Sequence, residues 1–154
     1  MTVLLFRFAE GNDWKEMNTT DYVTHRQHLE ERLMQLGQEM PGPMGGFGRL
    51  HKKAVEGGAL SSKIKELMAL AISIAVRCEG CIAYHTHDAI VAGATRPELL
   101  ETIGVAILMA GGPSSIYAVH ALDAIDQFGA GVDSSGGQSA AGENAVRPSA
   151  VEAA

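Results

Sequence analysis

The chain has 154 residues, 46% of them hydrophobic and 19% charged, with a net charge of −6, which are ordinary values for one globular domain. The absence of a Lys or Arg cluster argues against a surface for nucleic acid or anionic membranes. No apolar run approaches the roughly 20 residues that cross a bilayer, and no basic region precedes an apolar N-terminal segment as in a secretory signal. We therefore expect a cytoplasmic protein that contacts neither membrane nor nucleic acid.

Apolar residues at helical spacing predict the first helix. They recur seven, four, three and four residues apart: Tyr22, Leu29, Leu33, Leu36 and Met40. Thr19 or Thr20 is expected to cap this helix, and Pro41 is expected to end it. Residues 40–48 are rich in Gly and Pro, which predicts an irregular connection to the next helix.

The same signals predict five further helices. They cover residues 47–56, residues 61 or 62 to about 76, residues 79–93, residues 96–110, and a last segment that ends at 128. The helix that ends near residue 76 is apolar nearly all round and is expected to be buried. Thr95 and Glu98 have the spacing of a capping box. With residues 3–8 as the one candidate strand, the sequence predicts an all-α fold, a compact bundle of five to six helices.

The composition changes after the last predicted helix. Residues 129–154 are mostly Gly, Ala and Ser and contain no aromatic side chain. Such a segment buries too little apolar surface to offset its ordering entropy. We expect a folded domain over residues 1–128 and a flexible tail over residues 129–154.

Both cysteines of the chain lie in one motif, Cys78-x-x-Cys81, and His85 follows four residues later. In a reducing compartment, this spacing indicates redox chemistry or metal binding. The positive end of the following helix and the neighbouring Arg77 favour a thiolate at Cys78. His85 lies one turn from Cys81 and can serve as a base for that thiol. Disulfide exchange thus favours Cys78 as the nucleophile, and attack on a peroxide favours Cys81.

Glu66 is a carboxylate in a helix that is otherwise apolar, where Glu is uncommon without a partner. On one continuous helix, Cys78 would lie about 120° away from Glu66. Glu66 can therefore face the cysteines if the chain bends between Arg77 and Gly80. Taken alone, Glu66 is better explained as a structural carboxylate paired with Arg77 or Lys63.

Four residues and their spacing resemble the active-site signature of the alkyl hydroperoxidase D-like branch of the carboxymuconolactone decarboxylase family: Glu66, Cys78, Cys81 and His85. The resemblance covers about residues 45–128. It implies an all-helical fold, assembly as a trimer or hexamer, and a thiol-dependent peroxidase activity of the peroxiredoxin type.

The resemblance also implies a role for each of the four residues. Cys81 would be the peroxidatic cysteine and Cys78 the resolving one, with His85 and Glu66 in a proton relay. Peroxide would oxidise Cys81 to a sulfenic acid, and Cys78 would condense with it to a disulfide. An external dithiol would then reduce this disulfide; in the best-known members it is a lipoyl group on a partner protein. No bound cofactor or metal is implied.

The sequence departs from the type member of this branch between the two cysteines. Glu79 and Gly80 stand there in place of a Ser-His pair. A carboxylate beside a thiol disfavours the thiolate, so Glu79 is expected to raise the pKa of the thiols.

Other functions are compatible with the same residues. A zinc site would need four ligands, which could be drawn from Cys78, Cys81 and His85 with His87 or His120. The chain could also be a redox-sensing helical scaffold, a thiol-disulfide oxidoreductase without peroxide turnover, or a protein with two inert buried cysteines. A lactone decarboxylase is disfavoured, since the decarboxylases that name the family lack this cysteine pair. Asp88, three residues after His85, could orient its imidazole.

Overall fold

A computed structural model describes residues 20–129, which form six α-helices and no strand. In chain order these are α1 (Tyr22–Glu39), α2 (Pro41–Val55), α3 (Ser62–Ala75), α4 (Glu79–Val91), α5 (Arg96–Ala110) and α6 (Gly112–Phe128). The predicted all-α bundle is confirmed for this part of the chain. The candidate strand at residues 3–8 and the predicted tail after residue 129 lie outside the described residues. None of the six helices is long and apolar enough to cross a membrane.

Helices α3 to α6 form the centre of the bundle. α3 packs against α4 and α5, and α6 covers the other side of both. The largest fully buried side chains come from these helices and from the start of α1: Tyr22, Leu70, Ile74, Ile82, Leu99 and Ile125. Burying each aliphatic side chain of this size stabilises the fold by about 1.5 to 3 kcal/mol. α1 lies over α4 and α6, and α2 lies at the edge against α1 and α3 with none of its own residues buried.

The predicted starts and ends of α3, α4 and α5 are confirmed by their hydrogen bonds. Ser61 caps α3 by accepting the Ile64 N–H at 3.3 Å. The Thr95 hydroxyl accepts the Glu98 N–H while the Glu98 carboxylate accepts the Thr95 N–H, which completes the capping box. Gly93 ends α4 with a φ of 86°, a conformation that favours glycine.

The predicted caps of α1 are wrong by one or two residues. Asp21 caps this helix, since its carboxylate accepts the Thr24 N–H at 3.0 Å. A carboxylate at this position also interacts favourably with the positive end of the helix. The hydrogen bonds from Thr24 lower the pKa of Asp21. The hydroxyl of Thr20, one of the two predicted caps, instead donates to Glu79 at 3.0 Å.

The irregular connection predicted over residues 40–48 is also wrong, because α2 begins at Pro41. Pro41 and Pro43 both fall in the first turn of this helix, where backbone N–H groups have no partner within the helix. A proline there removes no helical hydrogen bond. The first backbone bond of α2 joins the Met44 N–H to the Met40 carbonyl at 3.1 Å.

The predicted burial of α3 is only partly correct. Glu66, Leu70, Ser73 and Ile74 are buried, but three large apolar side chains are exposed on the other face: Ile64 by 42%, Met68 by 51% and Ile72 by 59%. One chain of this size does not cover both faces of α3.

Candidate active site

A left-handed turn joins α3 to α4. Arg77 has a φ of 61°, and its N–H bonds to the Ile74 carbonyl at 3.2 Å. The Cys78 N–H bonds to the Ser73 carbonyl at 3.0 Å, which completes a Schellman motif. Glycine usually occupies this conformation, and another residue costs about 1 to 2 kcal/mol. This turn is the predicted bend between Arg77 and Gly80, which lets Glu66 face the cysteines.

The two cysteines form a disulfide at the start of α4. Their Cα atoms are 5.2 Å apart, and Cys78 is the N-cap of the helix. The Cys78 sulfur accepts the Cys81 N–H at 3.3 Å. In the reduced protein this N–H and the positive helix end would favour a thiolate at Cys78. His85 follows one turn after Cys81, as the spacing predicted.

Glu66 of α3 and His85 of α4 form a buried pair beside the disulfide. The Glu66 Oε2 and His85 Nδ1 atoms are 2.8 Å apart, and the two side chains are 6% and 18% exposed. The carboxylate orients the ring and leaves Nε2 as the nitrogen available for proton transfer. Lys63 does not pair with Glu66, since it pairs with Glu98 at 2.7 Å. Among residues 20–129, the ion-pair partner of Glu66 is His85 and not Arg77.

An apolar cavity of about 460 Å³ lies against the disulfide. It is lined by Leu29 and Leu33 of α1, by Met44, Phe47, Gly48 and His51 of α2, and by Cys78, Gly80, Cys81, Tyr84 and His85 at and after the motif. Gly80 lets α1 approach closely, because a Cβ atom there would lie 3.0 Å from Leu29 Cδ1. This volume and lining are typical of a pocket for a small organic molecule.

Two polar residues that line this cavity, His51 and Tyr84, are not among the predicted site residues. The irregular connection predicted over residues 40–48 left no continuous helix face that would bring His51 to the cavity. Met44, Phe47, Gly48 and His51 have the spacing of one helix face, and this spacing is the sequence feature that could have placed His51 at the site. The Arg26 guanidinium lies over the Tyr84 ring, 5.0 Å from its centre.

The remaining candidates lie elsewhere. Asp88 does not orient His85; it accepts from Arg26 at 3.3 Å and lies 2.8 Å from the His87 Nδ1 atom. The ring of His87 packs edge-on against Phe128. Within residues 20–129, no three His, Cys, Asp or Glu side chains are grouped so as to hold a metal ion.

Glu79, between the two cysteines in sequence, is bound by residues of α1 and α6. Its carboxylate accepts hydrogen bonds from Thr20 at 3.0 Å and Tyr22 at 3.2 Å, and it lies 3.3 Å from the His120 Nδ1 atom. Burial raises the pKa of Glu79, but the Thr20 hydrogen bond and the His120 charge outweigh it, so the pKa is lowered. Burial and the Glu79 charge raise the pKa of Tyr22. Glu79 therefore links the motif to α1 and α6.

Replacing Glu79 by Gln is expected to destabilise the protein by about 0.5 to 1 kcal/mol at neutral pH. Hydrogen bonds to a charged group are the stronger ones, but solvent screens this carboxylate, whose side chain is 39% exposed. A lowered folded-state pKa stabilises the fold above the ordinary glutamate value of about 4.3. That contribution disappears as the pH falls through the lower folded-state value. Urea unfolding of wild type and variant should therefore differ at neutral pH and converge in acid. An equal difference at both would contradict a role of the charge.

Comparison with known proteins supports the resemblance found in the sequence. Residues 41–124 match the model of the carboxymuconolactone decarboxylase family. An uncharacterized protein from Cupriavidus necator is 36% identical over 73% of this chain and 99% of its own length. A solved protein of the same family from Legionella pneumophila is 42% identical, with a TM-score of 0.67 over 70% of this chain and 96% of that one.

A family member of known structure from Thermotoga maritima is also similar. It is 26% identical, with a TM-score of 0.60 over 70% of this chain and 89% of its own, and its description connects it with the antioxidative response. The family match covers more than half of the chain and lies within the described helices. The chain belongs to the carboxymuconolactone decarboxylase family.

Proposed function

We propose that the protein is a hydroperoxide reductase that cycles through the Cys78–Cys81 disulfide. One observation carries this proposal. The disulfide and the Glu66–His85 pair meet at one apolar cavity, which brings a redox centre, a proton acceptor and room for a substrate together. The antioxidative description of the Thermotoga maritima relative agrees with this activity.

The proposed cycle begins with both cysteines reduced. Glu66 orients His85, whose Nε2 atom takes the proton of the Cys81 thiol. The Cys81 thiolate attacks the terminal oxygen of the hydroperoxide and becomes a sulfenic acid. The O–O bond breaks, and the other oxygen takes up a proton and leaves as an alcohol, or as water when the substrate is hydrogen peroxide. The Cys78 thiol then attacks the Cys81 sulfur, so that water leaves and the disulfide forms.

An external dithiol must restore the two thiols. It attacks the disulfide, forms a mixed disulfide and leaves oxidised. A lipoyl group on a partner protein is the proposed reductant, as the family resemblance implies. A cytoplasmic location would supply such a reductant, since thiols are kept reduced there.

The position of Cys78 favours a second candidate function, thiol-disulfide exchange without peroxide turnover. Cys78 caps α4, and its sulfur accepts a backbone N–H. A thiolate stabilised in this way at the start of a helix is the usual entry point for disulfide exchange. The two functions differ in which cysteine reacts first.

Consumption of hydrogen peroxide and an organic hydroperoxide, with dihydrolipoamide as reductant, tests the proposal. Steady turnover by the wild type is expected. Reaction with a disulfide substrate alone would establish exchange as the activity. Stoichiometric zinc together with no thiol cycling would establish a metal-binding scaffold. Lactone decarboxylation that survives replacement of both cysteines would place the activity outside the thiol site.

We further propose that the protein forms a homo-oligomer, a trimer or hexamer, through the exposed apolar residues of α3, α5 and α6. The most exposed such group is on α5, where Val105, Leu108 and Met109 are 56%, 80% and 78% exposed. Exposed apolar side chains at helical spacing are typical of an interface rather than of a monomer surface.

Replacing Leu108 by Asp is expected to convert this oligomer into single chains, since a charge would be buried in an apolar contact. Light scattering coupled to gel filtration measures the mass. Met34→Asp on α1 is the matched control, because Met34 is 68% exposed and should leave the assembly intact. A monomeric wild type, or dissociation by the α1 substitution alone, would contradict the proposed interface.

A further inference from the structure

Two imidazole rings border the cavity at the disulfide, and the cycle proposed above uses one of them. The second belongs to His51 of α2. The centres of the His51 and His85 rings are 6.0 Å apart, and the ring planes are inclined by 36°. His51 is half-buried and lines the cavity together with Cys81 and His85.

Helix α2 places His51 at the cavity through one of its faces. Met44, Phe47, Gly48 and His51 all line the cavity and occupy the positions i, i+3, i+4 and i+7 of the helix. Of these α2 residues, His51 alone carries a titratable side chain. The helix therefore contributes an apolar wall and a single proton-carrying group.

The surroundings of His51 differ from those of three other histidines. His85 and His87 lie 2.8 Å from a carboxylate oxygen, and His120 lies 3.3 Å from one. Within residues 20–129, no carboxylate lies at ion-pair distance from His51. No acidic side chain of the described residues therefore engages the His51 ring.

Reduction of a hydroperoxide requires two proton transfers at different atoms. The thiol loses one, and the oxygen that leaves the peroxide gains one. Since Glu66 occupies Nδ1 of His85, a single nitrogen of that ring is available for transfer. An unprotonated alkoxide would be costly in an apolar cavity, so a second donor beside the reacting atoms has a clear chemical task.

We propose that His51 is the general acid that protonates the leaving oxygen, while His85 deprotonates Cys81. This role rests on the proposed peroxide reduction. The Cys81 sulfur forms a bond to the terminal peroxide oxygen as the O–O bond breaks. Cys81 is oxidised to the sulfenic acid, and the remaining alkoxide takes the proton of the His51 imidazolium and leaves as an alcohol. The neutral His51 ring then recovers a proton from water, and the His85 imidazolium releases to water the proton it took from Cys81, so that both rings return to their starting states.

The test compares oxidants whose leaving groups differ in basicity. Reduced wild type and His51→Gln are mixed with tert-butyl hydroperoxide or with peracetic acid, and free thiols are trapped at intervals and counted by mass spectrometry. The variant is expected to react about a hundredfold more slowly with tert-butyl hydroperoxide, the size of a typical general-acid effect. With peracetic acid it should stay within about twofold of wild type, because acetate leaves without a proton.

Controls separate this role from a structural one. His28→Gln, on the exposed side of α1, should match wild type with both oxidants. Equal slowing of His51→Gln with both oxidants would mean that His51 only shapes the cavity, and unchanged rates with both would remove it from the chemistry. Either result overturns the role of His51 and leaves the peroxidase intact. A wild type that reacts with neither oxidant faster than free cysteine overturns the proposed function itself.

Discussion

Replacing Cys81 by Ser is expected to reduce peroxide turnover to the uncatalysed rate. A serine hydroxyl can form neither a sulfenic acid nor a disulfide, so no later step of the cycle can take place. His85, one helical turn away, is held by Glu66 at 2.8 Å and would have no thiol to deprotonate. The measurement is dihydrolipoamide-dependent loss of an organic hydroperoxide.

The Cys78→Ser variant is the matched comparison. It keeps Cys81 and the Glu66–His85 pair and lacks the resolving thiol, so it should consume about one equivalent of peroxide and then stop. A mass increase of one oxygen on Cys81 would identify the sulfenic acid. The reverse pattern, with the burst in Cys81→Ser, would instead make Cys78 the attacked residue. That outcome would agree with its position as the N-cap of α4.

Replacing Glu66 by Gln should lower the rate of Cys81 oxidation by about a hundredfold or more at neutral pH. The amide has nearly the shape of the carboxylate but no charge, and its NH₂ group can hold the His85 ring in the wrong tautomer. Stopped-flow oxidation of the reduced protein measures this step directly. Glu101→Gln, an exposed position of α5, is the control and should leave the rate unchanged.

A double variant separates a shared relay from two independent effects. If Glu66 acts through His85, the Glu66→Gln and His85→Gln substitutions together should slow oxidation hardly more than His85→Gln alone. If the rate of the double variant falls by the product of the two single reductions, Glu66 contributes independently of the His85 ring. Urea unfolding of each variant checks that the slower oxidation does not result from loss of the folded structure.

The fold was predictable where a single residue type determines a helix end. Ser61 and the Thr95–Glu98 capping box bond to the free backbone N–H groups at the starts of α3 and α5, and Gly93 ends α4. These helices therefore begin or end close to the predicted residues. The second half of α2 was predicted, but its first two turns were not predictable on the same grounds. Its prolines lie in the first turn, where they do not break a helix, and its glycines gave no sign that the segment packs on α1 and α3.

The site was predictable as a set of residues but not as an arrangement. The sequence placed His85 one turn beyond Cys81, and the helix confirms that spacing. The contact between Glu66 and His85 depends on the turn at Arg77. Arg77 adopts a positive φ, which is expected of glycine and is not predictable for an arginine. His51 comes from α2, more than twenty residues earlier, and only tertiary packing brings it to His85.

The position of the disulfide within one turn of α4 also bears on the lifetime of the protein. The bond joins residues at a sequence separation of 3, so it constrains the unfolded chain far less than a bond across a long loop would. Opening it should leave the other five helices and their packing in place. Oxidation state and global unfolding are then nearly independent, and proteases and chaperones should encounter the same folded surface in both redox forms.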